Sequence, residues 1–141
     1  MKGVPRYKKV LAGDVSANYL ICRQVPVDAD VEAEQYSTLI RLHQEALGVF
    51  RAAASDEEFF NNVLVEEPLF SLLDLKRELI FHALHRCKLC LHRCEVDRIA
   101  MPAGICGLDA RPRIAGALVE PEWMEDLSPA FPVYFSGCNF R

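Results

Sequence analysis

Four of the six cysteines in this 141-residue chain are spaced as ligands of a single metal site. They follow the pattern C-x2-C-x3-C-x11-C and are Cys87, Cys90, Cys94 and Cys106. The C-x2-C pair places two thiolates on one tight turn, the third lies one turn of chain later, and the fourth follows a glycine-containing loop. Four thiolates satisfy either tetrahedral zinc or an iron–sulfur cluster. The spacing therefore predicts a four-cysteine metal site and is compatible with both kinds of metal.

Other interpretations of these thiols stay open. They could be unmetallated thiols in a reducing compartment, and His92, which lies between ligands, could replace one thiolate. A redox role for Cys87 and Cys90 is disfavoured, because redox C-x2-C pairs begin a helix after a strand, whereas this pair follows a predicted helix. The isolated Cys22 is predicted to be a buried thiol that packs as a small apolar residue.

Basic residues near the cysteines could offset the charge of the thiolates. Four thiolates around Zn²⁺ leave a net charge of about −2, which nearby cations stabilise. Arg86, Arg93 and Arg98 could face the sulfurs or be solvated, and the sequence is compatible with both arrangements. Likewise, His82 and His85 could donate to a sulfur or lie exposed at the end of a helix.

Amphipathic segments before the cysteines predict a helical region over residues 30–86. Apolar residues recur at the spacing of one helical face from Asp30 onward. Ser55 with Glu58 has the pattern of a capping box, which predicts a short second helix. A third helix is expected to open at Pro68 or Ser71.

The remaining segments predict an α+β fold. The basic segment from Lys2 to Lys9 is expected to be loose, whereas Arg113 to Val119 and Phe131 to Phe135 are β-prone. These elements suggest a helical N-terminal region, a cysteine-rich knuckle and a C-terminal region that begins a further domain. The corresponding ranges are 1–86, 87–110 and 111–141.

Composition excludes two classes of partner. The formal charge is −4, from 16 basic and 20 acidic residues, so no basic excess is available to bind a nucleic acid. The apolar stretches are far shorter than the roughly 20 residues that span a bilayer, which predicts no membrane partner. No apolar segment of the kind found in a signal peptide follows Met1, and a cytoplasmic location is therefore expected.

The cysteine segment and the C-terminal strand together resemble a known family, the radical SAM proteins homologous to pyruvate formate-lyase-activating enzyme. Members carry an N-terminal C-x-L-C-P-R-x-C-x-V-x-R segment, a later G-x-C, and a strand that ends in S-G-C-N. The resemblance covers residues 87–141. The matching residues here are Cys87-x-Leu89-Cys90-x2-Arg93-Cys94-x-Val96-Asp97-Arg98, Gly104-x-Cys106 and Ser136-Gly137-Cys138-Asn139.

The resemblance implies an enzyme fold and a cofactor pair. In the family, three cysteines of a C-x3-C-x2-C loop hold a [4Fe–4S] cluster that binds S-adenosylmethionine and cleaves it reductively. The loop follows the first strand of a partial (β/α) barrel, at the usual active end of such barrels. By this resemblance Phe131–Phe135 is that strand and Cys138 is the first cysteine of the triplet.

The chain also departs from the family pattern. Leu91 stands where proline is common and Glu95 where glycine is frequent. Arg141 ends the sequence before the second and third cysteines of the triplet, so we expect a truncated barrel whose partner is the missing C-terminal part. The chain alone is then expected to be inactive, with no catalytic residue of its own, and the resemblance also allows for a protein substrate.

The alternative is a small self-contained zinc-binding module that serves structure or interaction. Its metal site would use the same four cysteines. The unpaired edge of a C-terminal apolar strand fits such a module poorly, because exposed edges invite aggregation.

Overall fold

The computed structural model describes residues 4–56, 67–100, 103–117 and 131–137. Within these ranges the chain is α+β, as predicted, with four helices and one two-stranded antiparallel sheet. None of the described helices is long and apolar enough to cross a membrane. The elements are α1 (Val4–Ala12), α2 (Asn18–Gln24), α3 (Tyr36–Ser55), α4 (Leu72–His85), β1 (Ile114–Ala117) and β2 (Val133–Phe135).

The chain divides into two compact units. One comprises residues 8–81 and is helical where it is described. The other comprises residues 1–7 and 82–141, and it contains the cysteine segment and the sheet.

The helical unit is held together by apolar side chains from three helices. Ile21 of α2, Leu39 of α3, and Leu72 and Leu75 of α4 are completely buried, and Val25 joins them just after α2. Each such side chain contributes about 1.5–3 kcal/mol when removed from water. Leu39, Leu72 and Leu75 belong to the helical faces that the sequence predicts, whereas Tyr36, Ile40 and Ile80 of the same faces are exposed.

Helix α4 begins at a reciprocal capping box. The Ser71 hydroxyl donates to Asp74 Oδ2 at 2.6 Å, and the Asp74 amide donates to Ser71 Oγ at 3.3 Å. Of the two predicted openings, Ser71 is thus the correct one. The same residue pairs with Pro26, so the segment after α2 and the start of α4 are joined by backbone hydrogen bonds.

Two helix boundaries differ from the sequence expectation. Helix α3 starts at Tyr36 rather than Asp30, because Asp30 accepts the Glu32 amide in a turn. Ser55 is the last residue of α3, and its hydroxyl donates to the Arg51 carbonyl at 2.8 Å. Ser55 therefore belongs to α3, and its predicted capping partner Glu58 and the short helix expected after it lie outside the described residues.

The segment predicted to be loose is helical from Val4 onward. Helix α1 closes in a Schellman motif, in which Gly13 donates to the Val10 carbonyl at 3.1 Å and Asp14 to the Lys9 carbonyl at 2.9 Å. Gly13 has φ +78°, a left-handed conformation that glycine adopts without a steric penalty. Val4, Tyr7 and Leu11 recur at helical spacing within this segment, so the prediction failed because its basic residues were given more weight than its apolar pattern.

Strands β1 and β2 confirm both β-prone segments, over fewer residues than predicted. Ile114 pairs with Phe135 and Ala117 with Val133, with an irregularity between Ile114 and Gly116. The pairing is antiparallel, whereas consecutive strands of a (β/α) barrel are parallel. The two strands therefore do not pair as neighbouring barrel strands, and only β2 remains a candidate for the first one.

Candidate metal centre

Cysteine-bearing residues 87–96 form a closed loop that follows α4. The Cys87 amide donates to the Val96 carbonyl at 3.1 Å, and the Glu95 amide donates back to the Cys87 carbonyl at 3.0 Å. Between them, Arg93 donates to the Cys90 carbonyl at 3.1 Å in a tight turn. Arg93 and Glu95 have φ values of +40° and +53°. The loop thus folds back on itself through two residues in the left-handed region, which brings Cys94 back beside Cys87.

The side chain of Arg98 contacts three of the four predicted ligands. Its Nη2 donates to Cys106 Sγ at 3.3 Å and to Cys94 Sγ at 3.7 Å, and its guanidinium also hydrogen-bonds Cys87. Its Nη1 donates to the Leu108 carbonyl oxygen. Arg98 is only 6% exposed. Of the two arrangements left open for the arginines, Arg98 therefore faces the sulfurs.

The other two arginines are arranged differently. Arg86 donates to Glu95 Oε2 at 2.6 Å, and Lys88 pairs with the same carboxylate at 3.0 Å. Arg93 is exposed. The positive charge brought to the thiols therefore comes from the one buried arginine.

Gly104 leaves the space that the Arg98 side chain fills. A Cβ atom at this position would lie 2.5 Å from Arg98 Nη2 and 2.9 Å from Cys94 Sγ. Both distances are far below van der Waals contact, so any larger residue must displace the guanidinium or the sulfur. Gly104 also accepts the Gly107 amide at 2.8 Å, which closes the turn that carries Cys106.

Local hydrogen bonds favour the thiolate form at two of the cysteines. The Leu108 backbone amide and the Arg98 guanidinium lower the pKa of Cys106, against the opposing effect of burial. At Cys94 burial is the largest influence and opposes ionisation. The backbone amides of Ile105 and Val96, with the charge of Arg98, outweigh it and lower its pKa. Thiolates are the form that binds metal.

The pairing with sulfur also changes the arginine. Hydrogen bonding to Cys87, and then to Cys106, raises the pKa of Arg98 above its ordinary value despite burial. The guanidinium is therefore a permanent cation at this place.

Cys90 lines the same pocket as Cys87 and Cys106. The pocket has a volume of about 320 Å³ and is lined by Leu84, Cys87, Leu89, Cys90, Arg98, Cys106, Leu108 and Asp109. Within the described ranges, no three His, Cys, Asp or Glu side chains are spaced to hold a metal ion. The donor types fit a tetrathiolate site, and three of the four sulfurs contact the Arg98 guanidinium.

The nearby histidines are not placed as ligands by the contacts they make. His85 Nδ1 lies 3.1 Å from Asp97 Oδ2, so it pairs with a carboxylate rather than a sulfur. Asp97 Oδ1 in turn accepts the amides of Ile99 and Ala100. His82 and His92 are exposed. The cysteines therefore remain the natural donor set of this segment.

The two remaining cysteines are Cys22 and Cys138. Cys22 is buried in the helical core, and burial raises its pKa against the opposing charge of Lys76. This agrees with the prediction of a packed thiol. Cys138 lies outside the described residues.

No protein-family model, curated protein or solved structure matches the chain. Function must therefore be argued from the residues themselves. Sequence reasoning found the four cysteines and expected the glycines beside Cys106, Gly104 and Gly107, to let the backbone adopt positive φ and approach the metal. Gly107 has φ +75°, whereas Gly104 leaves room for the Arg98 side chain. That room and the contact of the Leu108 carbonyl were missed, because neither leaves a pattern in a sequence.

Proposed function

We propose that Cys87, Cys90, Cys94 and Cys106 bind one metal centre, either zinc or an iron–sulfur cluster. The observation that carries this proposal is the convergence of three of these cysteines on one buried arginine. The fourth, Cys90, borders the pocket that Cys87, Arg98 and Cys106 also line.

We further propose that this centre belongs to a radical SAM protein of the activating-enzyme type. Support comes from the segment after β2. Gly137 has φ +95°, and a Cβ there would lie 2.3 Å from Leu108 Cδ2. The Ser-Gly-Cys sequence thus follows the end of a strand through a turn that requires glycine. This is the context the family pattern demands for its first cluster cysteine, here Cys138.

In such a protein Cys138 would be the first thiolate on a second, [4Fe–4S] cluster. That group supplies one-electron cleavage of S-adenosylmethionine when it is bound. The chain's own part is to hold its four-cysteine centre and to present the strand and turn before Cys138. The proposal requires further barrel strands and two more cysteines as partner, allows a protein substrate, and places the protein in the cytoplasm, where its thiols stay reduced.

The second candidate is a self-contained zinc module for structure or interaction. The observation that favours it is the compactness of the cysteine-bearing unit, whose described residues carry their own sheet. Antiparallel β1 and β2 also pair without any further barrel strand. Both candidates share the four-cysteine site and differ in the part of the protein beyond Cys138.

Metal analysis of anaerobically purified protein tests the site. We expect one centre per chain, brown if it is iron–sulfur and colourless if it is zinc. Replacement Cys94→Ser should remove the centre and destabilise residues 87–110, because ligation supplies much of the folding free energy of such a segment.

Matched controls are Cys22→Ser and Cys138→Ser. Both should keep the metal, the first because Cys22 lies in the other unit and the second because Cys138 belongs to a different proposed site. Metal content that survives Cys94→Ser would contradict the site, and metal lost with Cys138→Ser would assign that cysteine to it.

The nucleotide sequence after the codon of Arg141 tests the radical SAM proposal. We expect a frame that encodes cysteine, two residues and a second cysteine, followed by barrel strands alternating with helices. If no frame encodes them, the zinc module is the remaining candidate.

A further inference from the structure

We propose that Arg98 is the positioning residue of the four-cysteine centre. Its guanidinium holds the sulfurs of Cys87, Cys94 and Cys106 together before the metal binds and offsets their charge afterwards, and Gly104 leaves the space that the guanidinium occupies. This inference rests on the proposed metal site and names the residue that positions the ligands of that site.

The backbone of Arg98 is fixed on both sides. Its amide donates to the Leu84 carbonyl at 2.9 Å, and its carbonyl accepts the Ala110 amide at 3.3 Å. Its Nη1 is held by the Leu108 carbonyl oxygen. With the backbone and one end of the guanidinium anchored, Nη2 is aimed at the sulfurs rather than at solvent.

The hydrogen-bonding partners of the Arg98 guanidinium are sulfur atoms and one carbonyl oxygen. Among the residues that the structure describes, Arg98 makes no ion pair with a carboxylate. The nearby Asp109 is paired with Arg113 at 2.8 Å instead. The Nη2 atom of Arg98 is therefore left to hold the sulfurs of Cys94 and Cys106 close together.

The position of the Arg98 guanidinium depends on the absence of a Cβ atom at Gly104. Because a Cβ would fall 2.5 Å from Arg98 Nη2, alanine at this position must push the guanidinium away from Cys94 and Cys106. Gly116 provides a matched control in the same unit, since a Cβ there meets no atom within 4 Å. The two substitutions add the same methyl group, and only one of them reaches the arginine.

Cobalt titration of the full chain tests the inference, with Co²⁺ alone as the probe. We expect Arg98→Gln and Gly104→Ala each to lower the affinity by about 10-fold or more, the usual effect of losing a residue that orients ligands. The double variant should bind no more weakly than Arg98→Gln, because both changes break the same contacts. Arg98→Lys keeps the positive charge but not the planar set of N–H donors, so its affinity for cobalt should lie between those of Arg98→Gln and the unchanged chain. Gly116→Ala should bind cobalt as tightly as the unchanged chain.

The sulfur-to-cobalt charge-transfer band separates positioning from general stability. N–H donors lower the energy of the sulfur lone pairs, so the band should move to lower energy in Arg98→Gln and stay in place in Gly116→Ala. Unchanged affinity with an unshifted band in Arg98→Gln would overturn the inference. Additive losses in the double variant would overturn the role given to Gly104.

Failure of the metal site itself gives a different result, in which the unchanged chain binds no cobalt. The role of Arg98 is then decided by amide hydrogen exchange of the metal-free chain. Arg98→Gln should speed exchange at Gly104, Gly107 and Ala110, whose amides close the loop around the guanidinium. Exchange as slow as in the unchanged chain would overturn the inference.

Discussion

At the scale of single residues, two features of the cysteine segment cost folding free energy: a buried charge and a left-handed backbone conformation. Arg98 is buried, and Glu95 has φ +53°, in the left-handed region where a Cβ crowds the backbone. A glycine at this position would adopt the left-handed conformation without that crowding. The Glu95 carboxylate pairs with Arg86 and Lys88, which offsets part of the strain.

A comparison of Glu95→Gly with Glu95→Ala isolates the backbone strain. Both variants lose the exposed ion pairs, whose contribution is small. Relief of the left-handed conformation is worth about 1–2 kcal/mol, and the greater freedom of glycine in the unfolded chain removes part of it. We therefore expect the glycine variant to be about 0.5–1 kcal/mol more stable than the alanine variant in urea denaturation. An alanine variant of equal or greater stability would show that the loop is unstrained there.

At the scale of elements, a helix was predicted correctly where an apolar stripe followed a residue that caps its first turn. Helix α4 was predicted with its apolar stripe, and Ser71 with Asp74 fixes its first residue. Helix α1 was missed because the basic residues among Val4, Tyr7 and Leu11 were taken as the sign of a loose segment. The boundary of α3 was misplaced because an Asx turn at Asp30 competes with helix.

The capping box gives a stability prediction with a pH dependence. Ser71→Ala should lower the free energy of unfolding by about 1 kcal/mol. The Ser71 hydroxyl bond lowers the pKa of Asp74, so this stabilisation is complete above the unfolded pKa of about 3.9 and is lost as pH falls through the lower folded value.

Denaturation at neutral pH and at about pH 3 measures this difference, with Ser55→Ala as the control. The Ser55 hydroxyl bonds the Arg51 carbonyl within α3, an interaction that adds little to a helix, so its loss should change stability by less than about 0.5 kcal/mol. A Ser71→Ala effect that is the same at both pH values would mean that the Asp74 carboxylate does not take part in the cap.

At the scale of the whole molecule, the spacing predicts which four thiols could share a metal, but it does not predict that Arg98 contacts three of them. The C-x2-C-x3-C pattern fixes which thiols can share a metal. Arg98 was left open because an arginine four residues after Cys94 faces the sulfurs only if the loop turns back, and two left-handed residues decide that turn. The antiparallel pairing of β1 with β2 was likewise unpredictable, because short apolar strands carry no information about the direction of their partner.

X-ray absorption at the metal edge of the anaerobically purified chain tests the four-cysteine centre most directly. The expected result is a metal bound by four sulfur atoms in the unchanged chain, if it is zinc, or by sulfur alone at each iron, if it is a cluster. In Cys94→Ser the sulfur shell should be incomplete or the metal absent, while Cys22→Ser should match the unchanged chain. A first shell of oxygen and nitrogen in the unchanged chain, or no bound metal at all, would contradict the four-cysteine centre.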